Sequence, residues 1–145
     1  MSLRNLMEKE LIACSPKESI KHVAVLMKNN GIGAIVVTED KKPVGIVTDR
    51  DITLRCVAEE LDCANTQVEE IMTTGVETIT IDEGIFDVIQ VMKKSEIRRV
   101  PVVDEKGNAV GLLSFGDVYQ LLGKEISDLL APVAPEKPKI VDKAA

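Results

Sequence analysis

Two short motifs could bind the hydroxyl groups of a sugar together with an anion. Thr48 precedes Asp51 by three residues, and Ser114 precedes Asp117 with the same spacing. Each pair follows an apolar run, as expected where a strand leads into a helix, so a capping box that stabilises the helix start would explain it. A carboxylate there can also accept hydrogen bonds from both hydroxyls of a ribose, and the helix N-terminus suits a phosphate. The two interpretations are compatible.

A pair of arginines, Arg98 and Arg99, is the second candidate for ligand chemistry, because it interrupts an apolar segment. A guanidinium can hold a phosphate through two parallel hydrogen bonds. Alternatively, the arginines form weak surface ion pairs with Glu96 or Asp104. Adjacent residues of a strand point to opposite faces, so only one of the two arginines need face a given cleft.

The elements that position these residues occur twice in the chain. Apolar residues of the first copy recur 65 residues later in the second. The matching residues are Leu3, Leu6 and Met7 with Val68, Ile71 and Met72, then Ile20, Val23, Ala24 and Met27 with Ile85, Val88, Ile89 and Met92. Gly45–Asp51 recurs as Gly111–Asp117 at a spacing of 66, and we place the extra residue in the turn 104–108. Two similar units therefore make up most of the chain.

The pattern of apolar and polar residues in each copy predicts the element order β-α-β-β-α. A short extended piece leads into an amphipathic helix whose apolar residues follow the i, i+3, i+4, i+7 spacing. Two apolar runs joined by a polar turn, 32–38 and 44–47 in the first copy, predict a hairpin. A second helix is predicted from near Asp49 to about Leu61.

Capping residues predict the ends of the first helix. Ser15 would be its N-cap, Pro16 its first helical residue, and Glu18 the acid three residues after the cap. Asn30 and Gly31 would end the helix, because glycine tolerates the left-handed conformation of a helix C-terminus.

We predict an α/β (α+β) fold of two β-α-β-β-α repeats. They pack sheet to sheet with pseudo-twofold symmetry, because each repeat is too small to bury its sheet alone. The predicted boundaries are 1–62 for the first repeat, 63–67 for the linker and 68–130 for the second repeat. Residues 131–145 form a predicted flexible tail, whose three prolines exclude a continuing helix.

Composition narrows the functions that the chain can have. The net charge of −6 and the aromatic content of 2% disfavour nucleic acid as a partner, because phosphate contacts need cations and base stacking needs aromatic rings. The N-terminus is charged where a signal peptide is apolar, and no apolar stretch is long enough to span a membrane. We expect a cytoplasmic protein without a membrane partner.

Residues typical of catalysis are scarce. The three cysteines form no Cys-x-x-Cys pair, which makes a disulfide framework or a zinc site improbable, and we expect free thiols. His22 is the only histidine, and no base is placed near Ser114 by the sequence. We expect neither enzymatic activity nor a metal site.

The repeat, with its Gly-h-h-[Thr/Ser]-x-x-Asp motif (h, apolar) at the entry to a helix, resembles the cystathionine β-synthase (CBS) domain. Two tandem copies resemble a CBS pair, or Bateman module, over about residues 3–122, and the segment Arg98–Asp104 is typical of the family's middle strand. The resemblance implies a regulatory module that binds AMP, ADP or ATP between the repeats and signals to a partner protein. It implies no other cofactor.

The resemblance also assigns the site residues. Ribose and phosphate ligands would be Thr48, Arg50, Asp51, Arg98, Arg99, Ser114 and Asp117. The base would contact Glu10, Leu11, Ile12 and Ile32 in one copy, and Gly75, Val76, Glu77 and Ile97 in the other. The first copy has Gly33 and Ala34 where the second has its arginine pair, so the clefts differ. We expect the second repeat to own the principal site, with Asp117 as its ribose acceptor, and the first to rely on Arg50.

Two other functions remain open. The chain could be a structural dimerisation scaffold with vestigial clefts. It could also bind S-adenosylmethionine, but the cationic sulfonium of that ligand is a poor match for two arginines. A homodimer is expected in any case, because one pair of repeats cannot bury all of its helical apolar residues: Ile52, Leu54, Val57, Val118, Leu121 and Leu122.

Overall fold

The computed structural model of the chain describes residues 3–7 and 10–131, so the predicted tail beyond Ala131 lies outside the described residues. The first repeat contains β1 (Ala13–Cys14), α1 (Ile20–Asn30), β2 (Ala34–Glu39), β3 (Lys42–Thr48) and α2 (Asp49–Ile52), which continues as a π-helical turn (Thr53–Val57). The second contains β4 (Ile79–Thr80), α3 (Ile85–Lys94), β5 (Arg99–Val103), β6 (Ala109–Ser114) and α4 (Phe115–Leu130). Short 3₁₀ helices, Leu3–Leu6 and Val68–Glu70, precede the repeats.

Each repeat forms one three-stranded sheet. In the first, β1 pairs in parallel with β2, and β2 pairs antiparallel with β3; β4, β5 and β6 repeat this arrangement. The predicted α/β fold and the order β-α-β-β-α are confirmed.

Both faces of the first sheet are covered. Along β2, Ile35 and Val37 contact the helices of their own repeat, whereas Val36 points to the opposite face and is equally buried. A strand buried on both faces reads as a continuous apolar run, as β2 does. The opposite face is turned toward the second repeat, where β2 packs against β6.

The first helix begins later than predicted. Ser19, not Ser15, is the N-cap of α1, and its hydroxyl accepts a hydrogen bond from the His22 N–H at 3.2 Å. The segment from Ser15 to Glu18 forms a separate turn, in which the Glu18 N–H donates to the Ser15 carbonyl. At the other end, Gly31 adopts the predicted left-handed conformation (φ 61°).

The second helices of the two repeats differ in length. The first continues through its π-helical turn only to Val57, four residues before the predicted end near Leu61. A Schellman motif follows, in which Glu60 has a φ of 56° and the Leu61 N–H donates to the Cys56 carbonyl. In the second repeat, α4 continues to Leu130.

The 3₁₀ helix that precedes each repeat packs into the core of the other. Leu3 is fully buried in the core of the second repeat, whereas Val68 and Ile71 belong to the core of the first. The backbone of Thr73 also exchanges two hydrogen bonds with Ile46 of β3. This exchange explains why neither repeat is complete by itself.

The structure corrects the expectation of three free thiols, because Cys56 and Cys63 form a disulfide. The Schellman motif reverses the chain, and the Lys21 N–H binds the Cys63 carbonyl at 2.8 Å, which holds the loop against α1. Cys14 is a buried free thiol, and burial raises its pKa to about 12.

Candidate ligand-binding clefts

At least three cavities combine residues of both repeats, and two of them contain the carboxylate of a helix-capping motif. The first, which we call the arginine cleft, has a volume of about 400 Å³. Its lining comprises Ile46, Thr48, Asp51, Thr73–Glu77, Ser95, Ile97, Arg98 and Arg99. The cleft thus joins the end of β3 and the start of α2 in the first repeat with the segments before β4 and β5 in the second.

Asp51 is held at the arginine cleft by the capping box at the start of α2. Its Oδ2 accepts from the Thr48 N–H at 2.9 Å, and the Thr48 hydroxyl accepts from the Asp51 N–H at 3.1 Å. Its Oδ1 lies 3.4 Å from a guanidinium nitrogen of Arg55, one helical turn later. The Asp51 side chain is only 15% exposed, so it is fixed in place and partly neutralised.

Both arginines line this cleft, although strand alternation requires only one to do so. Arg99 is half-buried at the start of β5, and the exposed Arg98 precedes it. The proposed ion pairs to Glu96 and Asp104 do not form within the described part of the chain. Asp104 instead accepts hydrogen bonds from the Lys106 N–H and from the backbone and amide of Asn108, and the bond from the Asn108 backbone contributes most to lowering its pKa. The guanidinium groups are therefore available to an anion.

The backbone of Thr73–Glu77 forms the side of the cleft opposite α2. Thr73 is fixed to β3 through Ile46, and Gly75 then turns the chain with a φ of 64°. These residues lie outside regular strands and helices, so the peptide groups after Thr73 are not paired within a β-sheet.

The second cavity, which we call the acidic cleft, has a volume of about 270 Å³. Its lining comprises Leu6, Met7, Glu10–Ile12, Ile32, Ala34, Gly111–Leu113 and Asp117. Asp117 occupies the position of Asp51: its Oδ2 accepts from the Ser114 N–H at 2.7 Å and from the Ser114 hydroxyl at 2.6 Å. Ser114 positions the carboxylate without lining the cavity itself.

The structure corrects how the predicted site residues are grouped. Asp117 was expected beside Arg98 and Arg99, but it lies in the other cleft, and the arginines face Asp51. Arg50 is exposed and lines neither cleft. Asp51 and Asp117 each share a cleft with the other repeat because the start of each second helix faces the segment before the other repeat's first strand.

Several residues that line the clefts were not predicted from the sequence, among them Thr73, Thr74, Leu6 and Met7. A signal for them was present in the repeated glycine of the motif. A Cβ at Gly45 would lie 2.9 Å from the Thr73 carbonyl oxygen, and a Cβ at Gly111 would collide with the Met7 sulfur. A glycine within a strand often marks such a close approach.

Comparison with known proteins agrees with the fold and the repeat. The CBS domain family model matches residues 3–57 and 68–124. The chain belongs to the CBS domain family and carries two copies of the domain. YhcV, a CBS domain-containing protein of Bacillus subtilis, is 37% identical over 117 residues, covering 81% of this chain and 82% of YhcV.

Two solved structures show related CBS domain proteins with ligands. The CBS domain pair of protein MJ0100, in complex with 5′-methylthioadenosine and S-adenosyl-L-methionine, superposes with a TM-score of 0.75 at 29% identity, covering 86% of this chain and 98% of that one. The CBS domain protein PAE2072 of Pyrobaculum aerophilum, complexed with AMP, has a TM-score of 0.73 at 27% identity, covering 86% and 99%.

Two further features bear on function. Across residues 3–7 and 10–131, no helix is long and apolar enough to cross a membrane. The same residues contain no cluster of three or more metal-ligating side chains.

Proposed function

We propose that this chain is a regulatory module that binds an adenine nucleotide (AMP, ADP or ATP) in the arginine cleft. The observation that carries the proposal is that this cavity combines the fixed carboxylate of Asp51 with two guanidinium groups. A carboxylate can accept hydrogen bonds from the two neighbouring hydroxyls of a ribose, and guanidinium cations can bind a phosphate. Together these groups complement a nucleoside phosphate. The AMP complex of PAE2072 supports the same assignment.

The base would occupy the opposite side of the cleft. Exposed peptide groups of Gly75–Glu77 can pair with the polar edge of adenine, and Ile97 offers an apolar contact for its face. The ribose hydroxyls would bind Asp51 through the oxygen that does not cap the helix. The phosphate would then lie between Arg98 and Arg99.

A nucleotide in this cleft would contact both repeats at once, since Asp51 belongs to the first and the arginines to the second. It would favour the arrangement of the repeats in which both contacts form, and the shift in population would be the signal. We propose that the signal passes to a partner protein.

The module would act as a homodimer. Leu54 and Val57 are exposed on the short second helix of the first repeat. The exposed apolar residues of α4 are Phe115, Tyr119, Leu122, Ile126, Leu129 and Leu130. Three residues that were expected to be spare are not exposed: Ile52 packs against the core of the first repeat, and Val118 and Leu121 are buried. Light scattering at about 10 µM, a concentration at which stable interfaces of standard size are occupied, should give twice the mass of the chain; a monomer would contradict this part.

Calorimetric titration with AMP and with adenosine tests the phosphate contacts. The double variant Arg98→Ala/Arg99→Ala should weaken AMP at least ~10-fold and adenosine less than ~3-fold, because only phosphate contacts are lost. The matched control, Lys93→Ala/Lys94→Ala, removes the same charge from the exposed end of α3 and should leave both affinities unchanged. If the arginine variant binds AMP as tightly as the parent, the proposed site is wrong.

The alternative of a dimerisation scaffold predicts no ligand effect. A ligand that binds the folded state raises the melting temperature by mass action. AMP, ADP or ATP at ~1 mM should therefore stabilise the chain by several degrees, and a melting temperature unmoved by all three would favour the scaffold.

A further inference from the structure

We propose that the Cys56–Cys63 disulfide controls the affinity of the arginine cleft. The cleft binds its nucleotide more tightly when the disulfide is intact than when a thiol has reduced it. This inference rests on the proposed function, which places AMP, ADP or ATP in that cleft.

Arg55 connects the disulfide to both sides of the cleft, because it directly precedes Cys56 in the chain. One guanidinium nitrogen lies 3.4 Å from Oδ1 of Asp51, the oxygen proposed to bind the ribose. The other donates to the Ile71 carbonyl at 2.8 Å and to the Thr73 hydroxyl at 3.2 Å. Since Asp51 and Thr73 line opposite sides of the cleft, Arg55 is a positioning residue that fixes one relative to the other.

The helical segment that carries Arg55 has few other attachments to the core. It consists of the four residues of α2 and the five of the π-helical turn, and a helix of that length is unstable by itself in water. Among residues 49–57, Cys56 is the only one that is fully buried. The disulfide at Cys56 therefore contributes much of what holds the end of this segment in place.

The loop at the other end of the disulfide is held independently. The Lys21 N–H donates to the Cys63 carbonyl at 2.8 Å, and the Ile20 N–H donates to the Thr66 carbonyl at 3.0 Å. These backbone bonds hold the loop against α1 whether or not the disulfide is present. Reduction thus releases the end of the helical segment while the loop stays in place, and a segment with few buried contacts opens locally.

The difference in exposure of the two cysteines sets the order of the chemical steps. Cys63 is half-buried and Cys56 is fully buried, so the thiolate of the reductant attacks the Cys63 sulfur. The S–S bond breaks, and Cys56 leaves as a thiolate with the electron pair. A second thiolate attacks the reductant's sulfur in the mixed disulfide and releases Cys63. In total, two reductant thiols give two electrons and two protons to the protein and become one disulfide.

The intact disulfide favours binding because it keeps the two sides of the cleft organised before the nucleotide arrives. In the reduced chain, the nucleotide must also order the end of the helical segment, which lowers its affinity. By reciprocity, a bound nucleotide makes the disulfide harder to reduce by the same factor. The second repeat has Leu122 in place of Cys56, within the sixteen-residue helix α4, so this control is specific to the first repeat.

Calorimetric titration of the full chain with AMP, with and without dithiothreitol and well below the melting temperature, tests the proposal. The oxidised parent should bind AMP at least ~5-fold more tightly than the reduced parent, the low end of typical coupling between sites. Cys63→Ser should bind AMP like the reduced parent in both conditions. The matched control Cys14→Ala keeps the disulfide and loses the free thiol, so it should respond to reductant as the parent does. Arg55→Ala should bind weakly in both conditions, with a difference below ~2-fold.

A redox titration in mixtures of reduced and oxidised dithiothreitol gives an independent measurement. Saturating AMP should lower the midpoint potential by at least ~21 mV, which is the 5-fold ratio converted at about 30 mV per tenfold. Circular dichroism shows whether the reduced chain keeps its fold. Equal AMP affinities, an unchanged potential or loss of the whole fold on reduction would each overturn the inference and leave the nucleotide site intact. Absence of AMP binding to the oxidised parent would instead refute the proposed function.

Discussion

The aspartates at the starts of the two second helices have the same structural role in opposite electrostatic surroundings. Asp51 and Asp117 each close a capping box on the residue three before them. Asp51 faces two arginines and contacts a third, whereas the residues that share a cleft with Asp117 include no cation within the described chain. The cap is therefore a property of the fold, and the partners across the cleft give each repeat its own chemistry.

The close approach at the two motif glycines gives the largest expected effect. Gly45→Ala should destabilise the chain by about 3 kcal/mol, because the new methyl group lies 2.9 Å from the Thr73 carbonyl oxygen, and backbone must shift to admit it. Gly111→Ala should cost about 1 kcal/mol, since the Met7 side chain can move aside. Urea denaturation of both variants measures the difference, and equal losses would show that the two approaches are equivalent.

The disulfide, which only the first repeat contains within the described chain, gives the second-largest expected effect. Cys56 and Cys63 are seven residues apart, and loop closure of that length contributes about 2.5 kcal/mol. Leu122 takes the place of Cys56 in the second repeat, so reduction should act on the first repeat alone. Denaturation curves with and without reductant should differ by this amount in the parent chain. They should coincide in Cys63→Ser, and a parent chain indifferent to reductant would contradict the prediction.

Removing each capping aspartate in turn should have different effects on the affinity for AMP. Asp51→Ala should weaken AMP by about 2 kcal/mol, roughly thirtyfold, because a charged hydrogen bond to the ribose is lost. Asp117→Ala should change AMP affinity less than ~2-fold, although it removes an equivalent cap. Titrations are read beside melting curves, so that unfolding is not mistaken for lost binding. A larger AMP effect from Asp117→Ala would restore the arrangement expected from the sequence.

Sequence patterns that depend only on nearby residues predicted the helices and strands well, because each element's buried face is set by its own residue spacing. The spacing of Ile20, Val23 and Met27 follows from burial of one helix face, and all three are buried. The exchange of the leading 3₁₀ helices could not be predicted, since Leu3 and Val68 fit either core equally well by type. Spacing along a chain fixes the face of an element and leaves open which neighbour covers it.

The same limit applies to the candidate sites. Nearly all of the predicted site residues line one of the two clefts, because the motif positions follow from the repeat. Their grouping was wrong, since it assumed that Asp117 shares a cleft with Arg98 of its own repeat. Only the crossing of the repeats, marked by Gly45 against Thr73, shows which carboxylate faces which cation.

The smallest expected effect concerns Ser114, which caps α4 without lining a ligand cleft. Ser114 binds Asp117 through both its N–H and its hydroxyl but does not line the acidic cleft. Ser114→Ala should therefore lower stability by about 1 kcal/mol, and Ser114→Gly by only a few tenths, because glycine tolerates an N-cap better than alanine. AMP affinity should stay within ~2-fold in both variants, since the arginine cleft is untouched. Chemical denaturation and AMP titration of the two variants measure these effects, and a loss of AMP affinity would show that the clefts are coupled through α4.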